Sequence, residues 1–438
     1  MRKPLAALMC LMLAGGMPAL PAAAETLQYA PGTPLHRHQL KNGLTVVLLP
    51  LPHSPVTTMH TWVRAGSRDE KPGTTGIAHL FEHMMFRPVR EGAKSYFDQA
   101  AALGLSYNAS TRFNATDYHN TFAPDQLPQV VAMEAERFQH LTVTPELLKV
   151  EREAVRSEYS TKFDANPMID LWFWVYRHAF PNHPYGWHIV GDRADLDRIT
   201  AEDANRFFKT HYVPNNTLIA IAGPIEPEKT LALVEQHWGD WKRGPAKAAW
   251  RNVPKTGSKP VLGKGTLKSP SKYMLIGYRT PDRTAPDRLA HDLASYILFN
   301  GSNSLVAKRL MDESAIASIA DGFNTTYDIG LDKVLVLPND GVTPERVHEE
   351  LRSAIASFET LSDADYEAYR QNYATYLRES QLKTEEVTSA LGRAWAYDGN
   401  VTYAFTDPRS VLQLPREAVE AAIVKTYQED NRVTAVTP

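Results

Sequence analysis

His79-Leu80-Phe81-Glu82-His83 places two imidazoles four residues apart, with a carboxylate directly before the second. On a helix, residues four apart lie one turn apart on a common face, so both rings can approach one cation. Glu82, three residues after His79, shares that edge, and its carboxylate is placed to take a proton from an attacking water. The spacing therefore assigns metal binding to His79 and His83 and base chemistry to Glu82. A glycine-containing loop over 66–76 precedes the segment, and helical periodicity runs over 76–86.

A hydrolytic zinc centre commonly uses three nitrogen or oxygen ligands and leaves a fourth position open. The segment Glu151-Arg152-Glu153-Ala154-Val155-Arg156-Ser157-Glu158 offers the third, inside a helical stretch predicted over 144–163. Seven residues apart, Glu151 and Glu158 fall on roughly one helix face. Glu158 is the best third ligand. Glu151 is suited to accept a proton from the distal nitrogen of a ligand histidine, which fixes the tautomer; its other reading is a solvated ion pair. Two histidines on a helix are ordinarily structural residues. Here the His-x-x-Glu-His order, the preceding loop and the later acidic helix together favour the metal.

The chain has 438 residues and a formal charge of -3, a balance that makes neither nucleic acid nor an acidic membrane surface a natural partner. Arg2 and Lys3 precede an apolar run to about Leu20, followed by Pro21-Ala22-Ala23-Ala24-Glu25. This is the pattern of a secretory signal, with cleavage expected after Ala24 and a periplasmic destination. Gly15, Gly16 and Pro18 interrupt the run, which fits removal better than membrane anchoring. Cys10, the only cysteine, falls inside it, so the expected mature chain has no thiol and its metal ligands must be nitrogen or oxygen.

The pattern along the chain predicts an α+β protein of two similar halves. Strands are expected over 38–49, with a turn at Asn42-Gly43, and over 57–63 and 218–222. A polar hairpin is expected over 107–122, and helices over 95–103, 127–141, 200–212 and 227–238. A polar, Pro- and Gly-containing stretch is the best domain boundary. The expected division is signal 1–24, N-terminal zinc-binding domain 25–243, linker 244–264 and C-terminal domain 265–438. The second half loosely repeats the order: a strand over 273–278, helices over 285–310, strands over 318–338, then helices to Tyr427.

These residues resemble the pitrilysin-like inverzincin metallopeptidases, a family that includes the mitochondrial processing peptidases, whose beta subunit is the similar one. Beyond the five-residue motif, Gly66-Ser67-Arg68-Asp69-Glu70, Asn108-Ala109-Ser110-Thr111, Glu151-Arg152-Glu153 with Glu158, His183-Pro184-Tyr185-Gly186 and Tyr212-Val213-Pro214-Asn215-Asn216 stand in the family's order. The likeness runs over about 35–430 and is more diffuse in the second half. It implies two α/β sandwich domains with Zn2+ in the first, ligated by His79, His83 and Glu158, with Glu82 as general base and Glu151 as supporting carboxylate. Asn108 and Ala109 match an edge segment that lines the substrate cleft, where an extended peptide is held by main-chain hydrogen bonds.

One departure bears on partners. Active relatives carry an Arg and a Tyr in the second half that contact substrate; here Ser318 stands at the Tyr position and Arg309 is displaced by one helical position, about 100° of rotation. Tyr327 is another possible contributor. The expectation is an endopeptidase acting on extended peptides whose metal-free partner subunit supplies the Arg and Tyr, with a homodimer as the other arrangement. The rival function is a noncatalytic peptide-binding or assembly subunit with a vestigial metal site.

Overall fold

The computed structural model describes residues 24–164, 166–246, 260–269, 271–312, 316–322, 326, 328–379 and 381–438. Most of the expected signal (1–23), the middle of the expected linker (247–259), Tyr327 and the side chain of Ser318 lie outside the described residues.

The first sheet contains β1 (Ala24–Ala30), β2 (Thr33–Gln39), β3 (Thr45–Pro50), β4 (Thr57–Val63), β5 (Ser106–Thr111), β6 (Thr116–Phe122) and β7 (Thr217–Gly223), in the order β1-β2-β3-β7-β4-β6-β5. Only the β3–β7 pair is parallel. The second sheet contains β8 (Val261–Lys264), β9 (Met274–Arg279), β10 (Ile316–Gly322), β11 (Leu331–Pro338) and β12 (Arg432–Val436), in the order β10-β11-β9-β12-β8. Each sheet carries helices, which makes a mixed α+β fold of two domains. No helix among the described residues is long and apolar enough to cross a membrane.

Thr-Leu-Ile-Ala-Ile-Ala-Gly in β7 is buried at every position, as is β4, because both faces of the first sheet are covered. On one face, Phe81, Phe138, Tyr212 and Trp238 pack against Val46, Leu48, Met59 and Ile219. The opposite face is closed from the other half of the chain: Val387, Leu391 and Trp395 of the Thr384–Tyr397 helix meet Val47, Leu49, Trp62 and Leu218. The exchange is reciprocal. Leu171, Val175, Tyr176 and Ala179 of the Pro167–Ala179 helix cover Leu275, Leu331, Val433 and Ala435 of the second sheet.

Each half has its own core on one face of its sheet, and the opposite face is covered by a helix of the other half. Buried charge reinforces the join. Arg68 pairs with Asp328, His183 Nε2 lies 3.6 Å from the same carboxylate, and Tyr185 accepts a 3.2 Å hydrogen bond from the Asp328 amide. The 66–70 and 183–186 segments therefore hold the two halves together.

Gly392 marks the tightest point of this closure, since a Cβ there would lie 2.0 Å from Trp62 Nε1. Trp62 is fully buried and has no room to yield. Gly392→Ala is expected to lower the melting temperature by the equivalent of about 1–3 kcal/mol, the usual cost of overpacking a core; an unchanged thermal transition would show that this face is not tightly closed.

The last four residues of the expected linker are a correction to it. Val261–Lys264 is strand β8, paired in parallel with β12. The glycine that reads as linker sits where a side chain cannot: a Cβ at Gly263 would come within 2.0 Å of Trp174.

Candidate metal centre

The Ile77–Met84 helix buries Ile77, Ala78, Leu80, Phe81 and Met84 against the first sheet. That leaves His79, Glu82 and His83 on the remaining, half-buried face. The helix begins at Gly76 with φ 88°, a left-handed conformation, and a Cβ there would meet the Val190 carbonyl at 2.3 Å. Glycine cannot cap with a side chain. Glu70 does so instead: its carboxylate accepts from the Gly76 and Ala78 amides, each at 3.0 Å, and from Trp187 Nε1 at 3.1 Å.

This carboxylate sits at the positive end of the helix that carries His79 and His83, where negative charge is favourable. Burial pushes the Glu70 pKa well up, and the three donors oppose that shift. Glu70→Ala would orphan the buried Gly76 and Ala78 amides, each costing about 1–3 kcal/mol, while Trp187 Nε1 keeps the Ser67 carbonyl at 3.2 Å. The expected result is a large loss of stability by thermal or urea unfolding; a variant as stable as the parent would remove Glu70 from the capping role.

The second contributing helix, Pro145–Lys162, starts with the Thr144 side chain accepting from the Leu147 amide and with Pro145 in its first turn. It directs Glu151 and Glu158 toward the histidines. Glu158 Oε2 lies 3.5 Å from His79 Nε2 and 3.4 Å from His83 Nε2, and the three atoms belong to a cluster within 4.8 Å of one another. Lys162 Nζ holds the other oxygen, Oε1, at 2.7 Å. Glu158 Oε2 is buried and makes no hydrogen bond. Tetrahedral zinc with bonds of about 2.0–2.2 Å separates its ligand atoms by about 3.3–3.6 Å, so the observed spacing fits a cation held between them.

Behind His83, Glu151 Oε2 stands 3.7 Å from Nδ1, and its other oxygen is paired with Arg87 Nε at 2.5 Å. Glu151 is buried to 2% side-chain exposure, so a solvated ion pair is not its situation. Burial, helped by the neighbouring His83, lowers the His79 pKa to about 4. Burial would also lower His83, but the neighbouring Glu151 and Glu158 carboxylates outweigh it and raise the pKa to about 9. The His83 contact in turn holds Glu158 down at about 2. Glu151 and Glu158 thus stabilise positive charge on His83, while burial disfavours it on His79.

Glu82 is oriented by the edge strand, where Thr111 Oγ1 donates to its Oε2 at 2.5 Å. Burial raises the Glu82 pKa, making the carboxylate a better proton acceptor than an exposed one. Asn108 and Ala109 lie on β5, the outermost strand of the first sheet; Asn108 is exposed, and its Oδ1 accepts from the Ala109 amide at 2.9 Å. Arg309 is engaged in an ion pair, with Nε 2.7 Å from Glu350 Oε2.

His79, Glu82, His83, Glu151 and Glu158 are therefore brought together, with Asn108 and Ala109 on the adjoining edge strand. Sequence reasoning missed the residues that orient them: Thr111 on Glu82, Arg87 on Glu151, Lys162 on Glu158. Only Lys162, four residues after Glu158 on its own helix, was findable by spacing.

The two halves match sequence models in order: the insulinase (peptidase family M16) model over residues 45–193, and the peptidase M16 inactive domain model over 198–373. The zinc protease PqqE of Helicobacter pylori is 29% identical over 292 residues, covering 65% of this chain and 65% of that protein, slightly under two thirds of its length. The mitochondrial-processing peptidase subunit beta of Blastocladiella emersonii is 24% identical over 417 residues, covering 91% of this chain and 88% of that one. The crystal structure of a protease from Helicobacter pylori has the same fold, with a TM-score of 0.83 at 21% identity over 95% of this chain and 100% of the other. The chain belongs to the M16 family of metallopeptidases, the pitrilysin and insulinase superfamily, and is built from that family's two domains.

Proposed function

We propose that this chain is a zinc-dependent endopeptidase that hydrolyses extended peptides or unfolded protein segments. The observation that carries the reading is the convergence of His79 Nε2 and His83 Nε2 on the unbonded, buried Glu158 Oε2. His79, His83 and Glu158 would hold the ion, which when bound supplies Lewis-acid polarisation of the scissile carbonyl and acidifies water. Glu82, held by Thr111, takes the proton of the attacking water and passes it to the departing amine. Glu151 and Arg87 keep His83 in the orientation that presents Nε2. The β5 edge, with Asn108 and Ala109, binds the peptide as an added strand, so chain extension matters more than any one side chain.

The partner and the location belong to the same proposal. With Arg309 engaged by Glu350, the substrate-contacting Arg and Tyr come from a related metal-free subunit, and the leader sends the assembly to the periplasm. The test is hydrolysis of an unstructured peptide by the chain alone and by the complex purified from the cell envelope, whose subunits are weighed intact. Chelator-sensitive cleavage restored by zinc is expected from the complex. Binding without turnover in every assembly would favour the noncatalytic reading, and a fully active homodimer would defeat the heterodimer.

A further inference from the structure

The geometry points to a second divalent-cation site of the zinc type, formed by His60, Asp117 and His119 on the sheet face opposite the peptidase centre. His60 on β4 and His119 on β6 are direct partners in the antiparallel register, and Asp117 lies two residues before His119 on the same face. The imidazole centroids are 4.6 Å apart. Asp117 Oδ2 is 3.7 Å from His60 Nε2 and 3.7 Å from His119 Nδ1, and the three residues form a metal-competent cluster within 4.8 Å.

Hydrogen bonding fixes which atoms face inward. The Thr388 hydroxyl gives its proton to the Thr384 carbonyl at 2.8 Å and so accepts from His60 Nδ1–H at 2.7 Å. His60 Nε2 therefore turns a bare lone pair toward Asp117. His119 Nε2 faces Glu385 Oε1 at 3.6 Å, and its buried Nδ1 has no hydrogen-bond partner. Arg112 Nη1 holds Asp117 Oδ1 at 3.2 Å, leaving Oδ2 for the imidazoles.

His60 Nε2, His119 Nδ1 and an Asp117 oxygen thus converge on one point across gaps too long for a direct hydrogen bond. A cation at that point would give all three a partner. The cluster opens into a cavity of about 700 Å³ between the first sheet and the helices of the second half, which leaves room for water as a fourth ligand. Arg112 and Arg393 also line this cavity and oppose positive charge, so this site is expected to bind more weakly than the first. Thr388 and Glu385 come from the Thr384–Tyr397 helix, so the ion would also tie that helix to the sheet it covers.

The test is zinc stoichiometry of the full chain, by elemental mass spectrometry after equilibration with micromolar zinc and gel filtration. Wild type is expected to hold two equivalents and Glu158→Gln one, with none left when His119→Phe is added. Asp117→Asn, which keeps volume, repeats the loss should the aromatic replacement perturb folding, and circular dichroism establishes that each variant is folded. A Glu158→Gln protein with no zinc would overturn this site while leaving the peptidase proposal standing. So would zinc in that variant that survives both further substitutions. One equivalent retained in Glu158→Gln and lost with His119 would support it, whatever becomes of the peptidase reading.

Discussion

Glu82→Gln is expected to retain zinc, fold and melting temperature while peptide hydrolysis falls by about 10²–10⁴-fold, the usual contribution of a positioned general base. The amide has the carboxylate's shape and can still accept the Thr111 hydrogen bond, so the geometry at the end of β5 survives. What it lacks is the ability to take a proton. Glu82 is not one of the three groups converging on the proposed ion, so metal binding should be insensitive to the change. Initial rates on a fluorogenic peptide, with zinc measured on the same sample, separate the outcomes. Hydrolysis within tenfold of wild type would remove Glu82 from the role of base, and loss of zinc along with activity would mean that Glu82 supports the ion instead.

The parts of this site legible in the sequence are those whose spacing is local. His79, Glu82 and His83 share one helix face by arithmetic, and Glu151 and Glu158 share another, so each trio or pair could be read before any fold existed. The strand 57–63, the strand 218–222, observed as Thr217–Gly223, and the helix 227–238 are similarly readable. What escaped was contact between segments distant in sequence. Glu70 as the cap of the metal helix, Thr111 on Glu82 and Arg87 on Glu151 depend on where loops and strands meet.

The Pro167–Ala179 helix was missed for a different reason. Leu171-Trp172-Phe173-Trp174-Val175-Tyr176 is a run of bulky residues with β character, and its helical state is enforced by packing on the second sheet. Its start was nevertheless marked, by Asn166 capping the Met168 and Ile169 amides and by Pro167 at the first position. His60 and His119 illustrate the same limit for sheets. Alternation assigns each a face, but only the register places them opposite one another.

Glu158→Gln should cost more zinc affinity than any other single change at the first site, with Glu151→Gln as its comparison. Glu158 Oε2 stands between both imidazoles and carries the only negative charge among the three ligand groups, while its Oε1 is held by Lys162. An amide offers a neutral oxygen and leaves the Lys162 ammonium, 2.7 Å away, without its counter-charge, so the centre that favoured a cation becomes one that repels it. Glu151 acts one step further out, through His83 Nδ1, where substitution of a supporting group typically lowers metal affinity by about 10–100-fold. The Glu151→Gln variant should therefore recover hydrolysis when zinc is raised by that factor, while the Glu158→Gln variant stays inactive at every zinc concentration the protein tolerates. Zinc titrations of activity in a metal buffer make the comparison. Equal rescue of both variants would show that Glu158 is a supporting group and that the third ligand has to be sought elsewhere.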